Sequence, residues 1–318
     1  MVKTSEGARS KLILLVLKAN DRLVQITVST TITEVTKPPQ QKIKTACIRK
    51  LFLFCALSAH LWFNFKNMTL PENVSAKDAD WLLHDKYNGI QTNEYKKDIE
   101  RLVKDEPLSY IIGWVPFLGL RIHLESRPLI PRNETEWWTE EMIKILQKRY
   151  GTREFTFLDL CSGSGAIGCA VLSKMPNAVV SFGEINPVHK KTILTNIIEN
   201  KLDMSRADVK IGNLFAPFGK TRFDVIATNP PYIPVTRDLP FSVTEYEPQE
   251  ALYAGKDGLD IIRSIATQLS DHIKPGGISW IEIDALHVDT ATTIFQKNAL
   301  RTKVLKDLYG RPRVIMAY

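Results

Sequence analysis

Four consecutive residues, Asn229, Pro230, Pro231 and Tyr232, combine groups that could hold a nitrogen nucleophile. The prolines have a fixed φ and no N–H, so their carbonyls can face a ligand without backbone rearrangement. The Asn229 side-chain oxygen and the Pro230 carbonyl could accept both hydrogens of a planar NH2 group, and the Tyr232 ring could lie flat beside it. Such acceptors would hold a weakly nucleophilic amide or aromatic amine and stabilise the positive charge that develops on its nitrogen. The segment therefore indicates group transfer to nitrogen, although a rigid turn is the alternative interpretation.

A glycine loop lies upstream in LDLCSGSGAIG, where Gly163 and Gly165 separate a strand pattern from a helix pattern. Glycine allows a sharp turn there and the close approach of a ligand to the backbone. Glu184 ends the next strand pattern about twenty residues later, where a carboxylate can accept hydrogen bonds from two ribose hydroxyls. This combination indicates an adenosine-containing cofactor, and NAD would fit it as well. Asp159 could pair with a loop amide or a ligand amine, or simply cap the turn.

The elements that must position these motifs alternate between strands and helices from residue 155 onward. Helix patterns cover 166–175, 189–199, 257–273 and 290–298, and the strand patterns are FTFLDL, AVVSFGEI, DVKIGN, FDVIATN, GISWIEI, TKVLKDL and RVIMAY. Repeated βα units predict a parallel sheet covered by helices on both faces, and the last two strands predict an antiparallel hairpin at one edge. Ligands bind such open sheets at the carboxyl ends of the strands, where both motifs fall.

The segment before this sheet has helical periodicity from residue 70 to about residue 112. In AKDADWLLHDKY the small and apolar residues recur at helix spacing, with Trp81 expected on the same face and Asn73 or Ser75 as the cap. A second helix is predicted over 94–104 and ends before a proline break. The runs SYIIGWVPF and LGLRIHLES then predict a β-hairpin.

The positive charge of the chain is confined to its first fifty residues. The 318 residues hold 42 Lys and Arg against 35 Asp and Glu, but residues 1–50 alone hold ten basic and three acidic side chains. The rest is balanced, so the net charge does not indicate a nucleic-acid surface. The basic, acid-poor, Ser- and Thr-rich start is typical of a mitochondrial transit peptide, with a disordered tail of a cytoplasmic protein as the alternative. The apolar run over 51–65 is short for a membrane span of ~20 residues, so a buried helix is favoured and no stable membrane insertion is expected.

From residue 106 onward the sequence resembles the HemK/PrmC family of S-adenosylmethionine-dependent glutamine N5-methyltransferases, as a mitochondrial-type member. The matching stretches are EPLSYIIGWVPFLGLRIHLESRPLIPRNETE, LDLCSGSGAIG, GEINP, IGNLF, NPPYIP and YEPQEALYAGKDGLDIIRSI. The resemblance implies an α/β, Rossmann-like methyltransferase sheet with a small N-terminal helical domain. It also implies S-adenosyl-L-methionine as cofactor and a class 1 peptide-chain release factor, methylated at its GGQ glutamine, as partner.

Composition, helical periodicity and this resemblance together predict four segments. These are a transit peptide or disordered tail (1–50), a helical substrate-docking domain (51–112), a β-hairpin linker (113–126) and a methyltransferase catalytic domain (127–318).

Residue roles follow from the same resemblance. Asn229, Pro230, Pro231 and Tyr232 would grip the glutamine amide, and Arg132 and Glu136 would close the pocket, with a structural ion pair as the alternative for the latter two. The cofactor would be bound by Asp159, Cys161, Ser162, Gly163, Ser164, Gly165, Glu184, Asn213, Leu214 and Asn229. The chain departs from the family pattern where Cys161 replaces a glycine, Leu214 an aromatic residue and Asn133 a proline, and where IEID lacks a glycine after its first acid.

Two other functions are compatible with these motifs. An adenine-N6 methyltransferase of DNA or RNA would use the same Asn-Pro-Pro-Tyr geometry, but it should carry a basic groove or a target-reading domain. A non-catalytic binding protein could retain the methyltransferase fold. The four cysteines form no CxxC pair and no His-linked spacing, so no metal is expected. We also expect a monomer without a direct nucleic-acid partner.

Overall fold

A computed structural model of the chain describes residues 70–318, except residue 72, together with the backbone of two upstream segments. These segments are strands β1 (Lys11–Ala19) and β2 (Arg22–Thr30), which pair antiparallel. They belong to a unit separate from that of residues 70–318. The apolar run over 51–65, for which we predicted a helix, lies outside the described residues. The assignment of residues 1–50 to a transit peptide stays a prediction.

Residues 70–318 form one compact unit, which begins with helices α1 (Ala76–Tyr87), α2 (Asn93–Val103) and α3 (Leu108–Ile112). The division into a helical docking domain and a catalytic domain stays a prediction. Ser75 caps α1, since its side chain accepts a hydrogen bond from the Asp78 amide at 3.0 Å. Trp81 was wrongly predicted to join the buried face. It is 49% exposed, and Lys77 covers its ring at 4.4 Å from the centroid, because the neighbouring Leu82 points into the core.

The prediction of a strand over SYIIGWVPF is also wrong for the first half of that run. Residues 108–112 form helix α3, which begins after Pro107 and ends at Gly113 with a φ of 95°. Proline is favoured at a helix start and glycine at a left-handed helix end, and both signals were present in the sequence. The hairpin itself is confirmed: β3 (Trp114–Phe117) pairs antiparallel with β4 (Leu120–His123).

The rest of this unit alternates between strands and helices. In chain order the elements are α4 (Asn133–Tyr150), β5 (Phe155–Leu160), α5 (Ala166–Lys174), β6 (Ala178–Glu184), α6 (His189–Glu199), β7 (Ala207–Ile211), β8 (Phe223–Thr228), α7 (Phe241–Tyr246), α8 (Asp260–His272), β9 (Ile273–Glu282), α9 (Val288–Lys297), β10 (Thr302–Lys306) and β11 (Pro312–Ala317). The strands form a seven-stranded sheet in the order β10-β11-β9-β8-β5-β6-β7. Strands β5 to β9 are mutually parallel, while β11 and β10 run antiparallel at one edge, so the predicted topology is confirmed. In this part of the chain, helices α4 and α7 were not predicted.

Both faces of the sheet are covered, as the continuous apolar strands predict. The adjacent residues Phe157 and Leu158 on β5 are both fully buried, in separate clusters on opposite faces. Helix α5 packs closely on β6 at Gly168, which has no side chain. A Cβ added there would lie 2.2 Å from Phe182 Cε1, too close for any other residue. This close packing holds the start of α5, and the loop before it, against the sheet.

Two side-chain amides, one within α6 and one at the residue just after it, hold the β3–β4 hairpin against this helix. Asn196 Oδ1 accepts from the His123 amide at 2.6 Å, and its Nδ2 donates to the His123 carbonyl at 3.2 Å. Asn200 repeats the pattern on Arg121 at 2.9 and 2.8 Å. The two asparagines therefore satisfy backbone groups on the free edge of β4 and connect the hairpin to the helix that follows Glu184.

Candidate active site

A cavity of about 290 Å³ opens at the carboxyl ends of β5, β6, β7 and β8, the edge predicted from the sequence. The residues that line it come from the glycine loop, from the ends of β6 and β7, and from the segment after β8. They are Leu129, Cys161, Gly163, Gly183, Glu184, Ile185, His189, Gly212, Asn213, Leu214, Asn229, Pro231, Glu250, Ala251, Tyr253 and Ile261. Six predicted cofactor-site residues are thus brought together here, namely Cys161, Gly163, Glu184, Asn213, Leu214 and Asn229.

Backbone conformation and hydrogen bonds shape the glycine loop. Gly165 has a φ of 78°, and a Cβ there would lie 3.1 Å from Ile193 Cγ2. Cys161 has a φ of 58°, which explains why a glycine is expected at this position. Ser162 donates its side-chain hydroxyl to the Asp159 carbonyl at 2.7 Å, and Asn196 donates to the Ser164 carbonyl at 2.9 Å. Ser162, Ser164 and Gly165 therefore support the loop from beneath without lining the cavity.

Glu184 connects the loop to the end of β6. Its Oε2 accepts from the Gly163 amide at 2.7 Å, and its Oε1 accepts from the Asn186 amide at 2.8 Å. Each carboxylate oxygen has two lone pairs, so each can accept one further hydrogen bond from a ligand hydroxyl. Glu184 lines the cavity and can therefore bind a vicinal diol while it holds the loop.

Asp159 lies beneath the loop and outside the cavity lining. Its Oδ2 accepts from the Gly168 amide at 2.8 Å, and its Oδ1 has no partner among the described residues. Burial raises the pKa of Asp159 well above its usual value, and the nearby Glu184 carboxylate adds to the effect. The contact with the first turn of α5 supports a capping role.

Two acidic or basic side chains, His189 and Glu250, are among the cavity residues that sequence reasoning missed. Ser126 Oγ lies 2.8 Å from His189 Nδ1, and burial lowers the pKa of His189, which favours the neutral ring. Glu250 accepts from the Asn186 side chain at 2.9 Å. His189 lies outside the matching stretches, whereas Glu250 lies within YEPQEALYAGKDGLDIIRSI. That stretch was a signal for Glu250, but only the fold shows that both side chains face the cavity.

The segment Asn229–Tyr232, called the NPPY corner here, separates this cavity from a second one of about 50 Å³. The smaller cavity is lined by Leu129, Arg132, Asn229, Pro230, Tyr232, Ile233, Ala251 and Leu252. Asn229 lines both cavities. A group held in the smaller cavity would therefore meet a ligand of the larger one at this side chain.

Contacts from three parts of the chain hold the NPPY corner. Asn229 Nδ2 donates to Thr135 Oγ1 at 3.1 Å, and the Tyr232 hydroxyl donates to Glu282 Oε1 at 3.1 Å. The amide of Ile233 donates to the Leu252 carbonyl at 3.0 Å. The corner is thus positioned from α4, from the end of β9 and from the loop after α7, and none of these contacts was predicted.

Arg132 and Glu136 occupy different surroundings. Arg132 lines the smaller cavity and donates to Glu247 Oε1 at 2.6 Å, while the same carboxylate accepts from the Ile130 amide at 3.1 Å. Glu136 lines neither cavity and accepts from the Leu118 amide in the hairpin turn at 2.6 Å. Leu118 has a φ of 48°, so Glu136 stabilises an unfavourable turn conformation there.

The mostly parallel seven-stranded sheet, covered by helices and carrying a cavity at the carboxyl ends of its parallel strands, has the fold of a Rossmann-like methyltransferase. Residues 135–241 match the methyltransferase small domain family. Release factor glutamine methyltransferase of Chlamydia trachomatis serovar L2 is 36% identical over 74% of this chain and 79% of its own length. The enzyme of the same name from Streptococcus pneumoniae is 29% identical over 77% of this chain and 87% of its own. The chain belongs to the release factor glutamine methyltransferase family.

The similarity of this chain to solved structures concerns the fold alone. A methyltransferase from Pyrococcus furiosus covers 70% of this chain and 98% of its own, at a TM-score of 0.47 and 18% identity. The strand order, rather than this likeness, defines the fold. Within residues 70–318 as described, no helix is long and apolar enough to cross a membrane. The same part of the chain contains no cluster of three or more His, Cys, Asp or Glu side chains suited to a metal ion.

Proposed function

We propose that this protein transfers a methyl group from S-adenosyl-L-methionine to the N5 side-chain nitrogen of the GGQ glutamine of a class 1 release factor. The observation that carries the proposal is Asn229, which lines both cavities and holds its side-chain amide against Thr135. The names of the relatives support this substrate. A planar primary amide fits an acceptor pair formed by the Asn229 oxygen and the Pro230 carbonyl.

The larger cavity fits the proposed cofactor. Glu184 retains acceptor capacity for the two ribose hydroxyls, and the Gly163 backbone, which carries no Cβ, leaves room for the methionine part. Leu214, which is 9% exposed, offers an apolar contact to the adenine beside Asn213. When bound, S-adenosyl-L-methionine supplies an electrophilic methyl group.

The chain contributes positioning and electrostatics to the transfer. Amide nitrogen is a weak nucleophile because its lone pair is delocalised. Two acceptors on its hydrogens orient that lone pair and stabilise the positive charge that forms during attack. With the donor bound, the new N–CH3 bond would form as the donor's carbon–sulfur bond broke, and the cationic nitrogen would then lose a proton to water. Tyr232, held by Glu282, provides a flat wall beside the amide.

We propose a mitochondrial location, supported by the basic, acid-poor composition of residues 1–50. The partner would then be a mitochondrial-type release factor. Import of residues 1–50 fused to a fluorescent protein tests the location, and a diffuse cytosolic signal would contradict it.

A methylation assay tests the proposed activity. Purified full-length protein, S-adenosyl-L-methionine and a mitochondrial-type release factor should give a mass increase of one methyl group on the GGQ glutamine, read by peptide mass spectrometry. A release factor carrying GGA should stay unmodified. Adenine-containing DNA and RNA serve as competing substrates, and methylation of these in place of the release factor would favour the adenine-N6 function.

A further inference from the structure

Glu282 lies behind the NPPY corner and holds a buried hydrogen-bond cluster together. It is 1% exposed. Its Oε2 accepts from Thr135 Oγ1 at 2.6 Å and from Trp138 Nε1 at 2.6 Å, while its Oε1 accepts from the Tyr232 hydroxyl. An indole N–H can only donate, so Oε2 has to act as an acceptor.

The direction of these hydrogen bonds determines the orientation of the Asn229 amide. A threonine hydroxyl has one proton, and Thr135 donates it to Glu282. Toward Asn229, Thr135 can therefore only accept, so the NH2 end of the Asn229 amide faces Thr135. The Asn229 oxygen then lies on the opposite side of the amide, as an acceptor for a ligand.

We infer that Thr135 and Glu282 are positioning residues for methyl transfer, an inference that rests on the proposed function. They select the one of two amide orientations in which Asn229 presents oxygen to the substrate. In the opposite orientation the Asn229 NH2 would face the substrate NH2, and two donors would meet without an acceptor between them. Asn229 would then be present but unable to grip the amide.

The surroundings of Glu282 support this direction. Burial raises the pKa of Glu282, and the hydrogen bonds from Thr135, Trp138 and Tyr232 act in the opposite sense, because they stabilise the carboxylate. Burial also raises the pKa of Tyr232 far above its usual value, so its hydroxyl stays protonated and donates. All three partners thus favour an acceptor at Glu282.

Thr135→Val tests the inference, because it removes the hydroxyl while the side chain keeps its shape. The matched control is Thr139→Val, one turn further along α4. Thr139 is fully buried, and its hydroxyl finds no partner within the described part of the chain. We expect Thr135→Val to lower kcat for the release factor by about tenfold to a hundredfold, with the Kd for S-adenosyl-L-methionine unchanged. Thr139→Val should match the wild type, and Thr135→Ser should restore most of the rate.

Neutron crystal structures of Thr135→Val and Thr135→Ser supply a readout that does not depend on the substrate, because neutrons distinguish the oxygen from the NH2 group of an amide, which X-rays do not at ordinary resolution. We expect the Asn229 amide to rotate in the valine variant and to keep its orientation in the serine variant. The inference is overturned if Asn229 has the same orientation in both, or if Thr135→Val transfers methyl as fast as Thr139→Val. Failure of the wild-type protein to methylate the release factor would instead contradict the proposed function, and the crystal structures would still decide the orientation.

Discussion

Replacing Glu184 by glutamine tests whether the side chain that holds the glycine loop also binds the proposed cofactor. The Glu184 carboxylate accepts from two backbone amides, Gly163 at 2.7 Å and Asn186 at 2.8 Å. A glutamine side chain has one acceptor oxygen and one NH2 donor. In Glu184→Gln one of the two amides must therefore face a donor, and the loop or the side chain has to move.

The size of the effect follows from the hydrogen bonds lost. The NH2 group of glutamine cannot accept from a ribose hydroxyl, so at least one hydrogen bond to a charged group disappears. Such a bond contributes about 1.5–3 kcal/mol. The Kd for S-adenosyl-L-methionine should therefore rise by about tenfold to a hundredfold.

Isothermal titration calorimetry measures this change directly. Glu250→Gln is the matched control, because Glu250 lines the same cavity but is exposed and accepts one hydrogen bond, from the Asn186 side chain. The Kd of the Glu250→Gln variant for S-adenosyl-L-methionine should rise by at most about fivefold, since an exposed polar pair contributes ~1 kcal/mol or less. Equal effects of the two substitutions would show that charge in the cavity, rather than the geometry of Glu184, controls binding.

Three further perturbations give separate outcomes. Asn229→Ala should lose transfer by at least about a hundredfold, measured by methyl incorporation, while calorimetry shows that the cofactor still binds; full activity would place the grip elsewhere. Burial raises the pKa of Asp98, but hydrogen bonds from Lys86, Tyr87 and Arg101 lower it below its usual value of 3.8. The stability from these bonds is therefore present above pH ~4 and lost as pH falls through the folded-state pKa. The free energy of unfolding of Asp98→Asn, measured with urea, should therefore change less than that of the wild type between about pH 5 and pH 3. Deleting residues 1–50 should leave methyl transfer in vitro intact, and a collapse of activity would make that segment part of the enzyme.

The sheet and its binding edge could be predicted because each depends on patterns that are local in sequence. The apolar run around Phe157 needs no distant residue to be recognised as a strand, and the glycine loop follows it directly. Parallel βα connections then bring Glu184 and Asn229 to the same edge. The order of the motifs along the chain was thus sufficient to predict a shared cavity.

Helix α4 was missed although its pattern is present in the sequence. Its buried residues Thr135, Trp138, Met142 and Leu146 recur at helical spacing, with acidic residues in the first turn and basic residues in the last. We interpreted its first residues as a pocket-closing stretch, and that interpretation hid the periodicity. The consequence was the choice of Glu136, which faces the hairpin, over Thr135.

The side chains of adjacent residues on a helix point in directions about 100° apart. Glu136 and Thr135 therefore face different parts of the structure, and only Thr135 faces the NPPY corner. Which of them faces the corner depends on how α4 packs against α5 and β11, and this packing joins residues far apart in sequence. Thr135 reaches Glu282 at 2.6 Å across 147 positions. The missing glycine after Glu282 does not disturb this contact, because Ile283 is buried at 1% exposure and its amide donates to the Arg313 carbonyl at 2.9 Å. The departure from the family pattern therefore lies beside the hydrogen-bond cluster, and the groups that orient Asn229 are intact.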